Sequence, residues 1–296
     1  PVTLSQLPEH IEGIDEIEVL ISDDGSSDRT VEIAKEYGVK HIVTATHHRG
    51  LAKTFILGIQ RALREGADII VNTDADNQYC ADDIKELVKP ILEKRADIVI
   101  GARPISRMNQ FSPLKKMLQF LGSKVVRLLS STTIEDVPSG FRAFSREAAL
   151  ALNVFDNYTY TIETVIQSKI KGLHIVSVPI RVNSCYRKSR LVKNMFTYIQ
   201  KNSFTILRMF IIYRPFRFFA IIGGLILLAG LAILTRFVFL YLFDYGNGHI
   251  QSLIFASILV ITGFQTCIFG ILADLLAINR KLIEDVQIRT KKLENK

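Results

Sequence analysis

Four aspartates close two apolar runs. In IEVLISDDGSSD they are Asp23 and Asp24, and in IIVNTDADNQ they are Asp74 and Asp76. Like charges at the end of a buried strand repel and lose solvation unless something positive lies between them. Residues two apart on a strand point to the same side, so Asp74 and Asp76 are expected to converge. An oxygen-rich pair without His or Cys suits a hard divalent cation, Mg²⁺ or Mn²⁺, whose remaining positions are typically completed by substrate phosphates. The alternative is plainer: Asp23 and Asp24 cap the following helix, and Asp74 and Asp76 lie in a solvated loop.

Both acidic turns need strands that end together. The first 180 residues alternate short apolar runs with amphipathic stretches, the pattern of an α/β domain with a mostly parallel sheet. Strands are expected at Ile17–Ser22, Asp68–Thr73, Asp97–Gly101 and His174–Val178, with a weaker one at His41–Thr44. Ser26 or Ser27 is placed to cap a helix that stops at Gly38. Further helices are expected over Leu51–Glu65 (followed by Gly66), Asp82–Lys94, Ser145–Leu152 and Tyr160–Lys171. In such sheets ligands sit beyond the carboxyl ends of the strands, where the aspartates fall.

Composition then divides the chain. Of 296 residues 48% are apolar, and the mean hydropathy is +0.23. The apolar residues concentrate in two runs, 216–243 and 250–278, each exceeding the roughly 20 residues that span a bilayer. Arg236 and Asp274 lie near the ends of these runs, where snorkelling to an interface accounts for them. The loop FDYGNGH carries no Lys or Arg, while Arg214, Arg217, Arg280 and Lys281 flank the outer ends. Both flanks, and the soluble domain, are therefore expected on the cytoplasmic side, a multi-pass topology with both termini inside. The chain carries a net charge of +8, and no Asp or Glu occurs from Thr164 to Phe243. A basic block leading into apolar sequence suits anionic lipid headgroups or a phosphate-bearing lipid better than nucleic acid, with a solvated basic face as the alternative. The three cysteines have no paired spacing, which argues against a disulfide framework or a zinc site. The expected divisions are a catalytic domain at 1–192, interfacial amphipathic helices at 193–215, two membrane helices within 216–278, and a charged tail at 279–296. That tail either mediates homo-oligomer formation or is simply solvated.

The segments ISDDGSSDRTVEIA, GLAKTFILGI, NTDADNQY, IVIGARP, VPSGFRAFSREA and YRKSRL, in this order, resemble the family 2 glycosyltransferases. The resemblance is to the dolichol- or polyprenyl-phosphate sugar transferase branch, including members with two C-terminal membrane helices, and runs from about Glu16 through the second span. It implies a GT-A fold and inverting transfer from a nucleoside-diphosphate sugar to a polyprenyl phosphate. It also implies site roles. Asp24 would contact the nucleotide base. Asp74, Ala75 and Asp76 would form a DxD motif holding metal and diphosphate, with Gln78 adding a contact. Arg103 and Arg142 would line the place where donor and acceptor phosphates meet, and Arg187, Ser189 and Arg190 would lie on a segment over it. The motifs are specific to the family and not to the sugar, so GDP- and UDP-linked donors both fit.

The chemistry is coherent from the residues alone. A lipid phosphate acceptor is already anionic and needs orientation by Arg and Lys rather than a strong base. A sugar hydroxyl would need a carboxylate base, which Glu135 or Asp136 could supply. Glu163 could reach the acceptor region or make a helix-surface contact, and His47 and His48 read as solvated or locally hydrogen-bonded. The chain has no Trp, unlike the processive polysaccharide synthases with their QxxRW motif. A phosphatase of the DxD type fits poorly, because Gln78 stands where a small Thr or Val is usual. In one respect the chain departs from the family: an apolar first strand and a Pro-x-(Tyr/Phe)-Asn-Glu turn are expected, and the sequence instead starts PVTLSQLPEHIEG. Activity is conditional on that strand, and a non-catalytic nucleotide-sugar-binding membrane protein is the competing reading.

Overall fold

A computed structural model describes residues 2–104, 134–154, 159–183, 200, 204–205, 207–208, 210–243 and 250–294. The chain forms two units, Pro1–Ile206 with Ile288–Lys296, and Leu207–Gln287. Within the first, α1 (Val2–Ser5) precedes β1 (Leu20–Asp23), α2 (Thr30–Glu36), β2 (His41–Thr44), α3 (Leu51–Arg64) and β3 (Ile69–Asn72). Then come α4 (Ile84–Leu92), β4 (Ile98–Ala102), β5 (Arg142–Ser145), α5 (Arg146–Ala151), α6 (Thr161–Ile170) and β6 (Ile175–Pro179).

Every expected strand is present: His41–Thr44 with the bounds expected, the other four with bounds shifted by one to three residues. The sheet is mixed rather than mostly parallel. β1 and β2 pair in parallel. The other four strands run β3–β5–β4–β6, with β5 antiparallel to both neighbours and β4 parallel to β6. Sequence reading missed β5 because all four of its residues are buried. A strand covered on both faces shows no apolar–polar alternation. Among the described residues no strand hydrogen bond joins β1 to β3, so the sheet is divided between them.

Helix α3 buries Ala52, Phe55, Ile59 and Leu63, one face at helical spacing. Gly58 brings this helix against β1: a Cβ there would lie 3.2 Å from that of Ser22, whose hydroxyl donates to Thr54 O at 2.7 Å. Helix α4 buries Leu87, Val88 and Ile91 against Val99, Phe141 and Ala143, the centre of the core. Gly38 and Gly66 follow α2 and α3 with φ of +75° and +89°, the left-handed stop expected of them. The cap of α2 differs from expectation. Neither Ser26 nor Ser27 serves; Asp28 Oδ1 accepts from Thr30 N at 3.2 Å, and the helix starts later. Ser145 caps α5 by accepting from Ala148 N.

The second unit contains α7 (Pro215–Leu242) and most of α8 (Ile250–Glu294), both long and apolar enough to cross a membrane. Charged residues from 279 onward continue α8 without a break. The two helices approach through glycines. A Cβ on Gly263 would sit 2.6 Å from Leu227 N, and one on Gly230 would sit 2.8 Å from Val260 N. Small residues at such crossings let helix backbones meet where burial of apolar surface gives no drive. Most of the expected interfacial stretch 193–215 lies outside the described residues.

Candidate active site

Strand β3 stops at Asn72, so Asp74 and Asp76 stand on a turn and not on a strand. Their expected convergence by strand alternation therefore does not apply. Asn77 turns the chain instead, with φ of 57°, and Gln78 N donates to Asp76 Oδ1 at 3.0 Å. Thr3 Oγ1 donates to Ala75 O at 3.2 Å. On the far side Asn183 braces the turn: its N–H donates to Gln78 O, and its Nδ2 donates to the carbonyls of Asn77 and Tyr79.

Asp74 is the distinctive group. Burial, with the charge of Asp76 adding to it and Arg103 pulling the other way, lifts its carboxyl to about 6. The carboxylate lies against Gly140, where a Cβ would come within 3.0 Å of Asp74 Oδ2 and 3.1 Å of the Tyr160 hydroxyl. The Gly140 peptide is held at both ends. Its N–H donates to Tyr79 Oη at 3.1 Å, and its carbonyl accepts from Asn72 Nδ2 at 2.8 Å and from Tyr160 Oη at 3.3 Å. Asn72 Nδ2 also donates to Tyr160 Oη at 2.8 Å. The Tyr160 ring stacks on Phe55 at 3.8 Å.

Asp24 is engaged with the loop before α3. Oδ1 accepts from Arg49 N at 2.7 Å, and Oδ2 accepts from Gly50 N at 2.9 Å and lies 2.7 Å from His48 Nδ1. Burial alone would raise this carboxyl; Arg49 N, the Thr54 hydroxyl, Gly50 N and His48 outweigh it and leave it below the usual range. It thus caps α3 from a distance rather than the helix that follows it. Asp23 closes its own turn by accepting from the N–H groups of Gly25 and Ser26. His47 is hydrogen-bonded locally, to Thr46, while the largely exposed His48 meets Asp24 from 24 residues away.

The two arginines differ. Arg103 forms a bidentate pair with the buried Asp136, Nε to Oδ2 at 2.6 Å and Nη2 to Oδ1 at 3.0 Å. Arg142 is fully buried. Its guanidinium donates to the carbonyls of Ser139 and Val137 and to the Thr164 hydroxyl. Expected to line the place where the phosphates meet, the Arg142 guanidinium here has no solvent exposure and is spent on the 137–139 turn and on α6. Glu163, fully buried and accepting from Gln167 Nε2, is not on a helix surface either. Arg187, Ser189 and Arg190 lie outside the described residues.

The model of the glycosyl transferase family 2 domain matches residues 3–152, about half of the chain. The chain belongs to glycosyltransferase family 2. Like it is the UDP-N-acetylglucosamine–dolichyl-phosphate N-acetylglucosaminyltransferase of Methanococcus voltae, 32% identical over 185 residues, covering 55% of this chain and 73% of that one. The undecaprenyl-phosphate mannosyltransferase of Micrococcus luteus is 27% identical over 190 residues, covering 61% and 76%. Among solved structures, glucosyl-3-phosphoglycerate synthase from Mycobacterium tuberculosis, in complex with Mn²⁺, UDP and glucosyl-3-phosphoglycerate, superposes with a TM-score of 0.51 at 19% identity. It covers 71% of this chain and 72% of its own, and supports the GT-A fold.

In this glycosyltransferase, sequence reading missed Asn72, Gly140 and Tyr160. Asn72 carried a local signal, as a polar residue closing the run IIVN. Gly140 carried one in the SGF turn. Tyr160 carried none, because it meets Asn72 across 88 residues of sequence.

Proposed function

We propose that this glycosyltransferase moves a sugar from a nucleoside-diphosphate sugar to a polyprenyl phosphate at the membrane, with inversion. The observation that carries the reading is Asp74: a desolvated carboxylate, raised to about 6, beside a second carboxylate and with a glycine opening the space in front of it. That donor set fits a hard divalent cation held by Asp74 and Asp76. When bound, Mg²⁺ or Mn²⁺ would neutralise the diphosphate leaving group as a Lewis acid.

The remaining work falls to the chain. In a single displacement an acceptor phosphate oxygen forms the new bond to the sugar's anomeric carbon as the bond to the diphosphate breaks, which inverts that carbon. A phosphate acceptor needs no proton removed. Asp136, the buried carboxylate considered as a base, is committed to Arg103, which favours phosphate over a sugar hydroxyl. Arg103 acts on Asp74 through its charge, holding the carboxylate toward its ionised form. Asn183, joined to the Gln78 turn, precedes Arg187, Ser189 and Arg190 by four to seven residues in sequence. This supports their orienting the phosphates. Asp24, by fixing the 48–50 loop, is read as shaping the wall for the base. The names of the relatives from Methanococcus voltae and Micrococcus luteus support the lipid phosphate acceptor. The two apolar helices and the basic flanks support a catalytic unit and both termini on the cytoplasmic side.

Membranes containing the chain, with Mn²⁺ or Mg²⁺, polyprenyl phosphate and a panel of labelled GDP- and UDP-sugars, test the reading. Label is expected in the lipid phase from one donor, with at least a hundredfold loss in Asp76→Asn, on the order of what removing one catalytic electrostatic contact costs. Label carried by a glycan hydroxyl instead would overturn the acceptor assignment.

A further inference from the structure

We propose that Tyr160 is a positioning residue for the DxD turn, acting with Asn72 through the peptide of Gly140 to set the affinity of the Asp74 carboxylate for its cation. The proposal rests on the reading of Asp74 as a cation ligand.

Three groups close a triangle. Asn72 Nδ2 donates both to Tyr160 Oη and to Gly140 O, each at 2.8 Å, and Tyr160 Oη reaches the same carbonyl at 3.3 Å. Asn72 is the last residue of β3, two before Asp74, so one corner is the strand that launches the turn. Gly140 is the residue against which the Asp74 carboxylate rests. Tyr160 supplies the third corner from the start of α6, and its ring is locked by the stack on Phe55 from α3, 3.8 Å between centroids and 5° from parallel. The Tyr160 side chain is almost wholly buried, so its hydroxyl is fixed as well as its ring. Burial raises the phenol above its ordinary value, and the nearby Asp74 charge adds to this, so it stays protonated and keeps its donor.

The consequence is mechanical. A carboxylate with no room to relax binds a cation as well as its neighbours hold it in place. With the hydroxyl removed, the Gly140 carbonyl keeps Asn72 alone, and the turn in front of Asp74 gains freedom. Tyr160→Phe retains the stacked ring and removes only the oxygen. Asn72→Leu removes the second corner while keeping strand volume.

The experiment titrates Mn²⁺ into the detergent-solubilised protein with UDP, and separately with GDP, and reads bound Mn²⁺ by electron paramagnetic resonance. Thermal unfolding without cation is recorded beside it. Tyr160→Phe is expected to weaken Mn²⁺ binding roughly fivefold to tenfold, the effect of one hydrogen bond. Asn72→Leu should weaken it by a similar factor. The double variant should be little worse than either single one, because both act through one peptide. Mn²⁺ isotherms of Tyr160→Phe and Asn72→Leu that overlay the unsubstituted protein, with only unfolding temperature reduced, would overturn the proposal and leave the cation site standing. Failure of the unsubstituted protein to bind Mn²⁺ with either nucleotide would overturn both the proposal and the cation reading beneath it.

Discussion

Asp74 carries a charge that its surroundings resist. Its carboxyl is lifted to about 6 in the folded protein from the ordinary 3.8, because burial and Asp76 both disfavour ionisation. The folded state therefore binds more protons than the unfolded one between those values, and without cation the protein loses stability as pH rises through that window. A cation reverses the sign locally by stabilising the ionised pair. The rise in unfolding temperature on adding Mn²⁺ and nucleotide should be small near pH 5, where protons compete, and full by about pH 7. Differential scanning fluorimetry across that range checks it, and Asp74→Asn should show little Mn²⁺ shift at any pH.

Arg142 belongs to the scale of elements. It opens β5, and its guanidinium ties the 137–139 turn to Thr164 on α6. Burial lowers it to about 10, and the arginine remains charged at neutral pH. Arg142→Met keeps the length and removes every donor, leaving buried carbonyls unpaired at a cost of roughly 2–5 kcal/mol. Thermal unfolding should drop by several degrees or more, and Arg142→Lys should restore only part, since one ammonium cannot reproduce the planar fork. A variant of normal stability that has lost donor binding would instead return Arg142 to the phosphates. The same elements show why β5 was illegible. Its residues carry a charge, a methyl and a ring, yet all are buried, and only the pairing with β3 and β4 makes them a strand.

At the scale of the whole molecule, the apolar residues separate one unit from the other. Both α7 and α8 expose long apolar faces, Leu225, Leu228 and Phe239 on the first and Phe255, Phe264 and Leu276 on the second. In water such surface would aggregate; in a bilayer it is the solvated face. The protein should stay in the membrane pellet after alkaline carbonate washing and be released by detergent. Cysteines introduced at the N-terminus and in the tail should be labelled from the same side of sealed vesicles, and a cysteine within residues 244–249 from the other. Labelling of all three positions from one side would overturn the expected topology.

Much of this protein was decided by local chemistry, and that part could be read from the order of residues. Apolar length marks the two helices long enough to cross a membrane, because a span needs only enough consecutive apolar residues. The alternation of strands and helices follows from side-chain periodicity, and the acidic pairs declare themselves by their cost at strand ends. What a charged side chain does with its charge is a different matter. Asp24 caps a helix 26 residues away, Arg142 is spent on the core, and Asp136 is taken by Arg103. Tyr160 reaches the Asp74 turn only through a contact 88 residues distant in sequence. Hydrogen bonds at that separation depend on where the chain returns, so only the tertiary structure shows which of these groups are spent on the fold.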